Sequence, residues 1–453
     1  MEKLNRRIFI GAGISGLAAT QVVAAQRTAA GSANDRVRVA VAGIRNRGWQ
    51  LMQSIQELAG ENIELAAVCD VDESVIGSRL TAFEKLGGKR PQVYTDMRKL
   101  LDDRSIDAVF HATPAHWHSL GGVWTCLAGK DAYIEKPMSH NIWEGRQLVN
   151  VARREKRMVQ HGTQIRSSPV VLEAVQKMRE GLIGELFMAR GVCFKYKGSL
   201  GKLQETATPA GVDYDQWLGP AQVKPFSLQR FHTSWYMHWE YGVGDIGNMG
   251  IHQLDLVRMG LGLEEHPTMV QSMGGKFLFD DYRETPNVHC ASYHFAGRKL
   301  QVEMSIRSLS TNLEAGMGTD LPFRLGSKDD IAGVVFYGSE GYLVVPDYKS
   351  YYSFLGVGRK PGPKRVDTDD LLANLPHIRN FVKAVRSRNH LDLTADVEEG
   401  HRSTCLSHLA NISYRVGRGL AFDPQTEQFA DAEANAHRRG TYREPYVVPE
   451  IAL

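Results

Sequence analysis

Apolar positions along this chain change period at residue 37. "VRVAVAG", apolar but for Arg38, reads as a buried parallel strand, and "WQLMQSIQEL" after it carries apolar residues at helical spacing. The alternation then repeats. "IELAAVCD", "QVYTD", "IDAVFHATP", "DAYIEKP" and "RMVQHGT" read as strands, separated by the helical stretches "SVIGSRLTAFEKLG", "MRKLLDD", "HSLGGVWTCLAGK" and "IWEGRQLVNVARREK". Strands alternating with helices at this spacing predict βαβ units and a parallel sheet. Beyond residue 166 the period falls to two. "GELFMARGVCFKY", "HCASYHFAG" and "KLQVEMSIRS" predict an open antiparallel sheet with one covered face. "LPHIRNFVKAVRS" and "EGHRSTCLSHLANISYRVGR" read as amphipathic helices closing that second unit, and residues 355–370 read as a Gly/Pro loop. The tail from Phe422 is polar until "YREPYVVPEI", which is expected to wrap the surface or a partner subunit. The predicted class is α/β: an N-terminal Rossmann domain over 34–165 and a C-terminal α+β domain over 166–453 with an open, mainly antiparallel sheet.

Residues 1–33 do not belong to this pattern. Gly11-Ala-Gly13-Ile-Ser-Gly16 satisfies the dinucleotide fingerprint G-x-G-x-x-G, yet only three apolar residues precede it and no second strand follows to carry a ribose-binding acid. A basic start (Lys3, Arg6, Arg7), a mild apolar run from Ile8 to Ala25 and small residues at its end describe a secretory signal instead. Arg6-Arg7 before Ile8-Phe9-Ile10 fits the twin-arginine type, so the chain is expected to be exported folded to the periplasm. The run is glycine-rich and shorter than the ~20 residues a membrane span needs, and no span is expected after processing.

The second glycine loop has the context the first lacks. Gly43 permits a tight turn after the first strand and Gly48 permits close helix–strand packing, while Arg45 stands where the middle glycine usually lies. Arg45, Asn46 and Arg47 are candidate phosphate contacts beside the helix N-terminus. Asp70 ends the second strand about 20 residues on, placed to accept hydrogen bonds from a ribose diol and to repel a 2′-phosphate. NAD is therefore expected rather than NADP. Thr113, Pro114, His118, Glu135 and Lys136 lie at the ends of two further core strands, where an open α/β sheet binds its ligand, and join the candidate cofactor-binding set.

Composition adds mainly exclusions. A formal charge of +3 gives no ground for a nucleic-acid partner or an anionic membrane. Five cysteines without a C-x-x-C pair argue against a disulfide framework or a zinc site, and His232, His238 and His252 show no helical i, i+4 pairing, so no metal is expected.

Three stretches sharpen the reading: "EKP" (Glu135 to Pro137), "TPAHWH" (Thr113 to His118) and "GDIGNMGIHQLD" (Gly244 to Asp255). Together with "GTQIRS" at 162–167 and "WLGP" at 217–220, they resemble the Gfo/Idh/MocA family of oxidoreductases, over a span from about Val37 to the C-terminus. The resemblance implies a lysine, Lys136, beside the nicotinamide and bonded to the reacting hydroxyl, preceding a cis peptide to Pro137. It implies His252 as general base, supported by Asp255, and a homo-oligomer paired through the open sheet. Asn248 departs from relatives that carry an aspartate there: an amide orients a hydroxyl or imidazole but takes no proton. Lys136, His252 and Asn248 are thus the catalytic candidates.

The chemistry of these residues fits alcohol oxidation, in which a hydride goes to NAD and a proton to a base brought near working pH. Histidine starts there, and a lysine in a low-dielectric cleft moves there. Substrate candidates are Gln164, Arg166 and Asp255, with Trp235, Tyr236 and His238 from "QRFHTSWYMHWEYGVGD", whose rings offer flat faces to a sugar. The leading expectation is an NAD-dependent oxidoreductase of a sugar, cyclitol or glycoside hydroxyl. The alternative is a glycosidase that holds NAD tightly and works through a transient 3-keto sugar; a third reading is a non-catalytic sugar-binding relic.

Overall fold

The computed structural model describes residues 36–309, 331–369 and 371–452; the first glycine loop and the twin-arginine stretch lie outside the described residues. In the first unit β1 (Val37–Ala42), α1 (Arg47–Glu57), β2 (Ile63–Cys69), α2 (Glu73–Lys85), β3 (Gln92–Tyr94), α3 (Met97–Asp102), β4 (Ala108–His111), α4 (Ala115–Leu127), β5 (Asp131–Ile134), α5 (Ile142–Arg154) and β6 (Val159–His161) alternate as the pattern predicts. All five pairings are parallel and the strand order is β3-β2-β1-β4-β5-β6. The order reverses between β1 and β4, so the crevice outside the C-terminal ends of the strands opens there. β1, apart from the half-buried Arg38, and β4 are buried on both faces, which is why apolar residues fall on both phases of these strands.

The second unit continues with α6 (Pro169–Arg179), β7 (Leu186–Phe194), α7 (Tyr214–Leu218), α8 (Gly244–Asn248), α9 (Gly250–Leu261), β8 (Met269–Gly275), β9 (Val288–His294) and β10 (Gln301–Arg307). It ends with β11 (Ile331–Gly338), β12 (Gly341–Val345), β13 (Ser350–Leu355), β14 (Lys360–Val366), α10 (Asn374–Ser387), α11 (Val397–Val416), β15 (Leu420–Asp423) and β16 (Gln428–Phe429). The ten strands lie in the order β14-β13-β12-β11-β7-β10-β9-β8-β15-β16, antiparallel except for the parallel pair β7 and β10. One face packs on α6, α9 and α11 through a core that includes Met178, Leu254, Val257, Leu409, Met304 and Phe336. Along β9 buried and exposed residues alternate, the signature of a sheet covered on one side.

Three expectations need correction. α10 does not close the second unit: Ile378, Phe381, Val382 and Val385 sit in the core of the first sheet with Phe110 and Tyr133. α11 is no amphipathic surface helix, since it is buried along most of its length between β8 and α5. Residues 355–370 are not all loop. Lys360–Val366 pairs with β13 as an edge strand, the position in a sheet that tolerates Pro361 and Pro363. Of the two courses expected for the tail, the structure shows the one along the chain's own surface: Tyr446 and Val448 join Trp117 and Trp143 of the first unit.

Candidate active site

The turn after β1 is built from Gly43 and Gly48. Gly43 has φ +79°, and a Cβ on it would sit 2.7 Å from the Ala112 carbonyl oxygen, so no side chain fits between the β1 and β4 ends. At Gly48 a Cβ would meet the Gly43 carbonyl at 1.8 Å, which fixes glycine at the start of α1. Beside this turn lies a cleft of about 310 Å³. Its lining reaches from Asp70 beyond β2 to Lys136 beyond β5. It therefore runs across the tips of four adjacent strands, about 14 Å at the usual strand spacing.

Asp70 lies on that lining as expected. Its Oδ2 accepts from the Ile44 amide (2.8 Å) and its Oδ1 from the Asp72 amide (3.1 Å). Burial pushes its carboxyl up to about 6 while those amides pull the other way, so the group is ionised at neutral pH. The buried Thr113 Oγ1 has no hydrogen-bond partner among the described residues and lines the same cleft. A glycine turn, an ionised acid beyond β2 and an unspent hydroxyl at the switch point fit a dinucleotide.

The two arginines of the turn line the cleft and also hold protein groups. Arg47 Nε bonds Glu135 Oε1 at 2.6 Å, so two cofactor candidates pair with each other across the turn. Burial would raise Glu135, but Arg47 outweighs it and holds the carboxyl below its ordinary value. Arg45 Nη1 donates to the His232 carbonyl (3.0 Å), while Asn46 and Pro114 line the cleft. His118 also serves structure: Nδ1 meets the Pro137 carbonyl (2.6 Å) and Nε2 the Thr113 carbonyl (2.8 Å). It ties the turn after β4 to the turn after β5.

Lys136 follows β5 and precedes a cis peptide to Pro137. Its Nζ donates to the Asn248 carbonyl (2.6 Å) and to Asn248 Oδ1 (3.1 Å), so the second unit holds the amine at the end of α8. Burial pushes the amine down to about 8; Glu135 opposes this, and Arg47 and Lys197 add to it. His252 lies in the first turn of α9. Burial, then the charges of Lys136 and Arg47, hold it well below its ordinary value. Its Nδ1 is hydrogen-bonded to the Tyr348 hydroxyl at 2.9 Å. Lys136 is thus the titrating group of the pair and His252 a neutral neighbour. Tyr348, which gave no sequence signal, fixes which imidazole nitrogen is engaged.

The substrate candidates divide. Trp235 lines the cleft, and Gln164 has a buried Oε1 without a hydrogen-bond partner among the described residues. Tyr236 receives a hydrogen bond from Lys197 Nζ (2.8 Å), which also reaches Asp245 (2.5 Å). Arg166 and Asp255 are spent on each other: Arg166 Nε bonds both Asp255 oxygens at 2.8 and 2.9 Å, and Ser403 adds a third bond. Their pairing braces α9 under His252 rather than facing a substrate. His238 is buried against Glu284 (3.1 Å) and stacks on Tyr282, outside the cleft lining. A group of two histidines and an acid, His266, His401 and Glu427, also lies outside that lining, with Arg146 already on the same carboxylate oxygen at 2.6 Å.

A strap from the second unit crosses the loop beyond β2. Glu73 N donates to Gly211 O (3.0 Å), Asp213 N to Val71 O (2.9 Å), and His232 Nε2 lies 2.8 Å from Asp72 Oδ2. Trp217, Phe231 and Trp235 carry the strap into the cleft wall, and Tyr446 from the tail completes it edge-on to Trp117. Periodicity does not reveal these contacts; the only signal was an excess of aromatic residues in a polar stretch.

Comparison with known proteins agrees with this architecture. Residues 37–163 match the family model "Oxidoreductase family, NAD-binding Rossmann fold". Residues 185–275 and 349–448 match "Oxidoreductase family, C-terminal alpha/beta domain". A glycosyl hydrolase family 109 protein of Shewanella sp. (strain ANA-3) is 31% identical over 154 residues, 33% of this chain and 33% of that protein. An alpha-N-acetylgalactosaminidase of Shewanella oneidensis is 30% identical over a stretch of the same length and coverage. The chain spans about a third of the length of the curated relatives it matches. The WlbA dehydrogenase of Chromobacterium violaceum, solved with NADH and UDP-GlcNAcA, superposes with a TM-score of 0.62 at 18% identity, covering 86% of this chain and 96% of that one. Fold and family models define an oxidoreductase with an NAD-binding Rossmann domain. The chain belongs to the Gfo/Idh/MocA family.

Proposed function

We propose that the protein moves a hydride between NAD and the CH–OH carbon of a sugar, cyclitol or glycoside, with Lys136 exchanging the hydroxyl proton. The observation that carries the reading is the Lys136 amine, brought down to about 8 and held by Asn248 in the cleft that begins at the glycine turn. Gly43, Asp70 and Thr113 would hold the cofactor, which supplies the hydride acceptor when bound. Lys136 in its neutral form takes the hydroxyl proton, a transfer suited to a group whose pKa lies near working pH. Asn248 fixes the amine's position. His252, kept neutral, offers Nε2 to a substrate hydroxyl while Tyr348 engages Nδ1. Trp235 and Gln164 contact the sugar.

A second reading, the redox-neutral glycosidase, is favoured by the strap over the β2 loop. A cofactor closed in on that side suits a cycle that returns the hydride to the same sugar. In that cycle oxidation at C3 acidifies the neighbouring C–H, elimination expels the aglycone, and water adds before reduction. The glycosidase names of the partly matching relatives point the same way. The full chain, supplied with NAD, is offered sugars, cyclitols and aryl glycosides. Accumulating reduced nicotinamide supports the dehydrogenase; aglycone release without net reduction supports the glycosidase; neither event on any substrate refutes both. Export through Arg6-Arg7 is part of the same proposal, and replacing both with lysine should leave the protein in the cytoplasm.

A further inference from the structure

A second cavity of about 280 Å³ opens where α4, α5 and α11 meet the tail at 436–442, and it shares no lining residue with the nucleotide cleft. Two nearly fully buried side chains on its wall have unspent acceptors. His116, 3% exposed, engages the Trp217 carbonyl through Nε2 (2.9 Å), which leaves Nδ1 without a partner. Burial pushes this imidazole down to about 3, so it is neutral: with Nε2 carrying the proton toward the carbonyl, Nδ1 is an acceptor. Asn411, 5% exposed, donates through Nδ2 to the Val243 carbonyl (2.8 Å), which fixes the amide orientation and leaves Oδ1 without a donor.

The rim carries two arginines outside any close ion pair. Arg415 lies over the Trp239 ring at 5.1 Å and Arg439 over the Trp143 ring at 3.8 Å; neither guanidinium forms an ion pair among the described residues, and Glu284 acts on Arg415 only from a distance. His140, His408 and His437 face the same space. The two acids on the lining are occupied. Glu144 accepts from Asn141 Nδ2 (2.7 Å) and the His140 amide (3.3 Å), and Glu240 accepts from the Gln222 amide (2.8 Å) with Lys224 nearby at 3.8 Å.

Buried acceptors without donors call for hydroxyl groups, and arginines without a close ion-pair partner call for an anion. We propose that this cavity binds a small polyhydroxylated anion, whose hydroxyls donate to His116 Nδ1 and Asn411 Oδ1 while its carboxylate or phosphate meets Arg415 and Arg439. The site is independent of the NAD chemistry proposed above. Titration calorimetry on the full chain, saturated with NAD, with glucuronate, glucose 6-phosphate and glucose tests it. At least one anion should bind tenfold or more tighter than glucose; which of the two binds better identifies the acid group. Acetate and inorganic phosphate, lacking hydroxyls, should bind more weakly than their sugar counterparts. The double variant Arg415→Gln, Arg439→Gln should lose tenfold or more of the anion affinity while NAD binding is retained. Failure of both sugar anions to bind, equal binding of glucose, or unchanged affinity in the double variant would overturn the proposal.

Discussion

Lys136 concentrates the chemistry of this chain in one amine. Its charged form is disfavoured first by burial and then by Arg47 and Lys197, so its folded value of about 8 lies below the ordinary 10.5. The unfolded chain therefore binds more protons between those values, and the stability penalty of this lysine is full below about pH 8 and lifts as pH rises toward 10.5. Activity follows the same group: kcat/KM for hydroxyl oxidation should climb as pH rises through about 8 and then level off. Lys136→Met should lower it about 10²–10⁴-fold and erase that limb. A profile whose limb survives in the variant would assign the proton to another residue. His252 illustrates the converse. Its sequence setting marks a base; burial and then neighbouring cations hold the imidazole in its neutral form, and those cations come from the turn after β5 and from α1, far away in the chain.

At the level of elements, two connections were invisible to pattern reading. An apolar stripe on "LPHIRNFVKAVRS" says that the helix has a buried face, not which sheet receives it. Phe381 is fully buried, edge-on to Phe110 at 5.3 Å in the core of the first sheet. Phe381→Ala should cost about 3–5 kcal/mol, read as a lower denaturant midpoint for the NAD-binding unit. An unchanged midpoint would place α10 elsewhere. The strap is the second such connection. His232→Ala removes the contact to Asp72 Oδ2 and should speed the exchange of bound NAD about tenfold, measured with labelled nucleotide. An unaltered exchange rate would mean that the strap does not retain the cofactor. What the sequence did reveal were features with local causes. The βαβ alternation follows from two-sided burial, the second glycine turn from backbone crowding at Gly43 and Gly48, and Asp70 from its place at a strand end. Pairings that depend on a distant partner, such as Arg47 with Glu135 or Arg166 with Asp255, have no local signature and became visible only in the fold.

Across the whole molecule, the amine of the first unit is held by the asparagine of the second, and the helix and tail at the chain's end return to the first sheet. The site exists only where both units meet. The event proposed for it is hydrogen leaving a carbohydrate carbon for the cofactor. The most direct test uses a substrate deuterated at the reacting carbon, rapid quenching of the NAD-loaded full chain, and mass analysis of the recovered nicotinamide. Deuterium should appear in the nicotinamide with the native chain and be lost with Lys136→Met. Product formed by the native chain while the nicotinamide carries none would contradict hydride transfer.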